Sequence, residues 1–79
     1  MLGVNILFCF KVTQLQNPFS GRMSYGILAK VVEDDNYSYA AYIPDISCDK
    51  SFVDSLALRC SRGQLDPIHL LDVVLDALP

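Results

Sequence analysis

Apolar and polar side chains alternate along the first half of the chain and change to a helical period in the second half. From Val4 to Leu15 the period is two. Val4, Ile6, Phe8, Phe10 and Val12 fall on one side, and Asn5, Leu7, Cys9, Lys11 and Thr13 on the other. Alternation over such a length, rich in aromatic and β-branched residues, predicts a half-buried strand. The stretch from Gln16 to Gly21 holds Asn-Pro and Ser-Gly, dipeptides that favour turns, and reads as a loop. A second strand is predicted from Arg22 to Glu33, with Met23, Tyr25, Ile27, Ala29 and Val31 opposed to Ser24, Gly26, Leu28, Lys30 and Val32. Gly26 inside it marks a bulge or a close backbone approach. The polar stretch from Glu33 to Asn36 reads as a hairpin turn. A third strand follows from Tyr37 to Ile43, with Tyr37, Tyr39, Ala41 and Ile43 on one face and Ser38, Ala40 and Tyr42 on the other. Pro44 is expected to end it, because proline donates no ladder hydrogen bond.

The helical half opens with Ser51, which forms a capping box with Asp54; Ser47 and Asp49 are alternative caps one turn earlier. Val53, Leu56, Ala57 and Cys60 recur at helical spacing, and Gly63 is expected at the C′ position. A second helix starts with Asp66 as N-cap and Pro67 at its first position. Ile68, Leu71, Leu75 and Leu78 form one apolar stripe, which Leu70, Val73, Val74 and Ala77 widen. His69, Asp72 and Asp76 break the apolar circumference.

These elements predict one α+β domain spanning residues 1–79. A three-stranded antiparallel meander (β-β-β) is followed by two C-terminal helices packed on one sheet face. Both faces of the first two strands carry large apolar residues, so alternation alone does not choose the face that the helices cover.

Composition sharpens the functional picture. The 79 residues include three cysteines, an odd number without tight spacing, which speaks for reduced thiols in a cytoplasmic setting rather than a disulfide framework. No basic region precedes the apolar segment near the N-terminus, and that segment is too short to span a bilayer, so no membrane association is expected. The net charge of −3 and a sequence pI near 4.7, with basic residues scattered along the chain, argue against nucleic acid as a partner. Apolar residues make up 52% of the chain and mean hydropathy is +0.31. A domain this small has little interior, so part of that apolar surface stays outside, where it marks a contact site. The expected partner is therefore a protein or a second copy of the chain. Tyr39, Tyr42, Leu70, Val73 and Val74 are the candidate contact residues.

Chemistry-bearing residues are sparse. His69, Asp72 and Asp76 lie along one line of the second helix. A histidine beside carboxylates suits a metal or a general base, and it equally suits a solvated helix face. Cys60, His69 and Asp72 together define the alternative reading, a small metal-binding or thiol-based protein. Against it, no C-x-x-C or H-x-x-x-H spacing is present, and Cys60 lies on an apolar stripe. Phosphate-cradling glycine loops and a nucleophile elbow are also missing from the sequence. No catalytic residue and no cofactor is expected.

Several segments together resemble a known family. They are Ser24-Tyr25-Gly26-Ile27, Asp45-Ile46-Ser47-x-Asp49-Lys50, Val53-x-x-Leu56-x-x-x-Cys60, and the closing run Leu65-x-Pro67-Ile68-His69-Leu70-x-Asp72-Val73-Val74-x-Asp76-x-Leu78. They look like domain-of-unknown-function family 6514, short proteins from Firmicutes, over about Met23 to Leu78. The resemblance implies a compact cytosolic bacterial protein and supplies no activity. It marks Cys60, Pro67, His69, Asp72 and Asp76 as parts of the family motif.

Overall fold

Three long strands in the computed structural model, which describes residues 6–79, form one antiparallel sheet in the order β1-β2-β3. They are β1 (Ile6–Gln16), β2 (Met23–Glu33) and β3 (Asn36–Ser47). Two helices follow, α1 (Lys50–Arg62) and α2 (Leu70–Ala77), with a single 3₁₀ turn at Pro67–His69 leading into the second. This is the α+β meander with C-terminal helices that the alternation predicts. Val4, the predicted start of the first strand, lies outside the described residues.

The β1–β2 register runs without interruption from Ile6 opposite Glu33 to Gln16 opposite Met23. Asn17 holds the loop between them. Its side-chain oxygen accepts hydrogen bonds from the Phe19 and Ser20 amides at 2.8 and 3.1 Å, and Gly21 turns the chain with a φ of +72°. The β2–β3 turn is shorter. Glu33 pairs with Asn36, leaving only Asp34 and Asp35 at the tip, with Asp34 in the left-handed region at φ 54°.

The helices cover the face that carries Phe10, Ile27 and Ala29. These pack with Ile46, Val53, Leu56, Ala57, Cys60, Leu70 and Val74 into one core. Phe8, Val12, Tyr25 and Ile43 extend it around the rim. The core contains no buried polar or charged residue among the described residues.

Four details depart from the expectations. Pro44 does not end β3, which continues to Ser47. The strand lies at the sheet edge, where a missing N–H costs no ladder bond. Helix α1 is capped by Asp49, whose carboxylate accepts from the Phe52 amide at 3.3 Å. Ser51 and Asp54 form no capping box; Asp54 instead takes Lys50 as an ion-pair partner at 2.8 Å. The left-handed residue after α1 is Gln64 at φ 46°, not Gly63, which keeps a right-handed φ of −82°. The Gln64 amide donates to the Ser61 carbonyl and the Leu65 amide to the Cys60 carbonyl, the paired bonds of a Schellman motif with glutamine at C′. Finally, α2 is rotated relative to the predicted stripe. Leu70 and Val74 face the core, while Ile68, Leu71 and Leu75 lie outside. The buried Pro67 in the 3₁₀ turn, capped by Asp66, sets that phase.

Candidate functional site

The residues singled out for chemistry do not converge. Cys60 is buried between α1 and α2, on a small groove that Arg59, Gly63, Leu65 and Val73 also line. Burial pushes its thiol above the ordinary 9.0, and the nearby Arg59 guanidinium offsets this only in part. Burial thus favours the neutral thiol, as suits a packing side chain. His69 and Asp72 are exposed on the outer side of the C-terminal segment, with Asp76. Among the described residues, no group of three or more His, Cys, Asp or Glu side chains gathers closely enough to hold a metal ion. The metal or thiol alternative built on Cys60, His69 and Asp72 thus has no assembled site behind it.

The predicted contact residues separate into two classes. Leu70 and Val74 are core side chains, at 0% and 2% exposure, and leave the list of surface candidates. A charge at Leu70 would break the interior rather than an interface. Val73 is half-buried against the core. Tyr39 and Tyr42 are exposed, and the sheet brings a third tyrosine to them.

That meeting depends on a bulge. Strict alternation assigns Tyr42 to the face opposite Tyr37 and Tyr39. In the sheet, Ala41 pairs with Ala29 while Tyr39 pairs with Lys30, so Ala40 is an extra residue in β3. The insertion shifts the phase. Tyr42 now lies opposite Leu28, Tyr39 opposite Lys30 and Tyr37 opposite Val32. Leu28, Lys30 and Val32 all belong to the β2 face turned away from the helices. The side chains of Leu7, Cys9, Lys11 and Leu15 on β1 share it through the same register.

The result is an open sheet face with an aromatic rim. Tyr37 and Tyr39 meet edge to face, their ring centroids 5.8 Å apart. The Lys30 ammonium lies 5.2 Å from the Tyr37 ring centroid, a cation–π contact. Leu7 and Leu15 are about half exposed on the opposite strand. Among the described residues, no helix covers this surface. Its chemistry is apolar contact area with hydroxyls at the edge, the combination that suits tyrosine-rich binding surfaces.

A second irregularity borders the face. Between Tyr25 opposite Ser47 and Ile27 opposite Ile43, β3 carries three residues, Pro44, Asp45 and Ile46, against Gly26 alone. The β3 backbone at Ile43 and Pro44 passes directly over Gly26, where a Cβ would lie 2.6 Å from the Pro44 carbonyl carbon. Opposite Gly26 on β1, the Thr13 hydroxyl is buried without a hydrogen-bond partner. The glycine inside a strand pattern signals the close approach at Gly26, whereas the one-residue bulge that gathers the three tyrosines leaves no signature in alternation.

No helix among the described residues is long and apolar enough to cross a membrane. Residues 6–79 match the model of a family described as a family of unknown function (DUF6514), and the chain belongs to that family. No curated protein and no solved structure matches it.

Proposed function

We propose that this member of the DUF6514 family is a non-enzymatic association module that binds protein through the open face of its sheet. The observation that carries the reading is the uncovered surface made by Tyr37, Tyr39, Tyr42 and Leu28 with Leu7 and Leu15. Continuous apolar surface on a small monomer marks a binding site, and tyrosine is a preferred anchor in such sites. Protein is favoured over nucleic acid. Lys11 and Lys30 lie on this face with Arg22 at one end, Lys30 is engaged on Tyr37, and Glu33, Asp34 and Asp35 stand at the other end. The three free cysteines suit a reducing cytoplasm.

The test is comparative capture with tagged bait, co-expressed with an untagged copy, from cells that make the protein. A Tyr39→Ser/Tyr42→Ser bait is expected to lose the proteins that wild type retains in stoichiometric amount. A Leu71→Ser/Leu75→Ser bait, altered on the outer side of α2, is expected to keep them. Equal retention by wild type and the tyrosine variant, with both folded by circular dichroism, would remove the sheet face from consideration.

A further inference from the structure

We infer that the occupant of the open sheet face is a second copy of this chain, laid face to face with its strands antiparallel. The inference rests on the reading of that face as a docking surface and names what docks there.

Area is the first argument. Tyr37, Tyr39 and Tyr42 are 63%, 66% and 54% exposed, and Leu7 and Leu15 are 51% and 48% exposed. Aromatic side chains carry about 150–250 Å² each, so the three tyrosines alone offer on the order of 400 Å². With both leucines and the half-buried Leu28 and Val32, the face offers on the order of 600 Å², the lower end of the ~600–1,000 Å² per partner that a stable protein pair buries. An open sheet face of that size is matched by another sheet face, as in sandwiches where two twisted sheets pack about 10 Å apart with their strands crossing at about 30°.

Charge is the second argument, and it sets the direction. The hairpin end, with Glu33, Asp34 and Asp35, is the more acidic end of the sheet, since the other end holds Arg22 as well as Asp45. Arg22 immediately precedes β2, at the end of the sheet opposite the hairpin tip, where its carbonyl accepts from the Asn17 amide. Asp34 and Asp35 follow the other end of β2, at the hairpin tip. All three are exposed. A two-fold axis crossing the middle of β2 near Leu28 exchanges these ends. Each acidic tip then faces the partner's Arg22 end, twice in one symmetric contact. A parallel stack would set like ends together. The remaining cations do not oppose the pairing. Lys30 is drawn over Tyr37, and Lys11 lies on the outermost strand, where its stem covers apolar surface while its ammonium reaches water.

Sedimentation velocity of the full chain over a wide concentration range tests this. Wild type is expected to dimerise, and Tyr39→Ser/Tyr42→Ser to remain monomeric with an unchanged far-ultraviolet spectrum. Arg22→Asp is expected to raise the dimer Kd roughly tenfold at low salt. Adding Asp34→Asn and Asp35→Arg to it is expected to restore the dimer, because the two ends then again carry opposite signs. A wild-type chain that stays monomeric at the highest concentration overturns the second copy as occupant. The capture experiment then decides separately whether the face binds a different protein. A dimer that survives the tyrosine substitutions belongs to another surface and also overturns the inference. A dimer indifferent to Arg22→Asp overturns the antiparallel arrangement.

Discussion

Gly26 is the position where one hydrogen atom decides the shape of the open sheet face. The β3 backbone occupies the space that any side chain at this position would need, and backbone does not yield as a flexible side chain does. Gly26→Ala is expected to destabilise the domain by about 3 kcal/mol or more, read as a lower midpoint in urea. Gly21, with open space around its missing side chain but a φ of +72°, owes its place to conformation instead. Cys60 gives a second expectation at this scale. Its folded-state thiol titrates above the ordinary 9.0 because it is buried. Between those two values the unfolded chain releases a proton that the native chain keeps, so stability falls as pH rises through that window. Below 9.0 Cys60 contributes no slope. Cys60→Ala is expected to flatten the alkaline limb of the stability–pH curve. In native protein at pH 8, an aromatic disulfide reagent is expected to modify the exposed Cys48 fast and Cys60 only after unfolding. Rapid native modification of Cys60 would contradict its assigned burial.

At the scale of elements, the outer edge of β1 is closed by an unusual clasp. The Gln64 side chain accepts from the Phe8 amide at 2.9 Å and donates to the Phe8 carbonyl at 3.0 Å. It also donates to the Ser61 carbonyl at 2.8 Å. One amide group thus imitates a neighbouring strand for a single residue, which blunts an edge otherwise open to pairing. The clasp explains a non-glycine residue at φ 46°. The left-handed conformation costs about 1–2 kcal/mol and three side-chain hydrogen bonds offset it. Gln64→Gly relieves the strain and loses the bonds, whereas Gln64→Ala keeps the strain and loses the same bonds. The alanine variant is therefore expected to be less stable than the glycine variant by about 1 kcal/mol in thermal melts, with both below wild type. The same element shows how far sequence reading reaches. Period-two and helical patterns identified all three strands and both helices, since burial on one side imposes them. Pro44, Gly63 and the phase of α2 were misplaced because edge position, tertiary capping and a 3₁₀ entry are decided by neighbours distant in sequence. Tyr39 and Tyr42 were legible as contact candidates. Leu70 and Val74 were not separable from Leu71 and Leu75 on a helix apolar nearly all round.

At the scale of the molecule, the two sides of the sheet have divided the apolar residues between them. One side carries the core, closed by α1 and α2. The other holds the tyrosines and stays open. This division accounts for the high apolar content of a short chain without requiring a larger interior. It also separates charge. The acidic residues of the helices and of the loop before them, Asp49, Asp54, Asp66, Asp72 and Asp76, are exposed at the covered side. The open face keeps its charges at its ends and its lysines engaged or peripheral. The helix side exposes apolar area as well, at Leu58, Ile68, Leu71 and Leu75, and what sets the open face apart is its three exposed tyrosines.

The Gln64 clasp joins residues 56 positions apart in the chain. Synthesis proceeds from the N-terminus at about 5–20 residues per second, so β1, β2 and β3 are complete for some seconds before the helices and Gln64 have both emerged. During that interval the sheet has neither its covering layer nor its edge lock. A nascent meander on one ribosome could then pair edge to edge with the meander on the next. Closing that window falls to the last third of the chain, and a truncation anywhere before Gln64 leaves it open permanently.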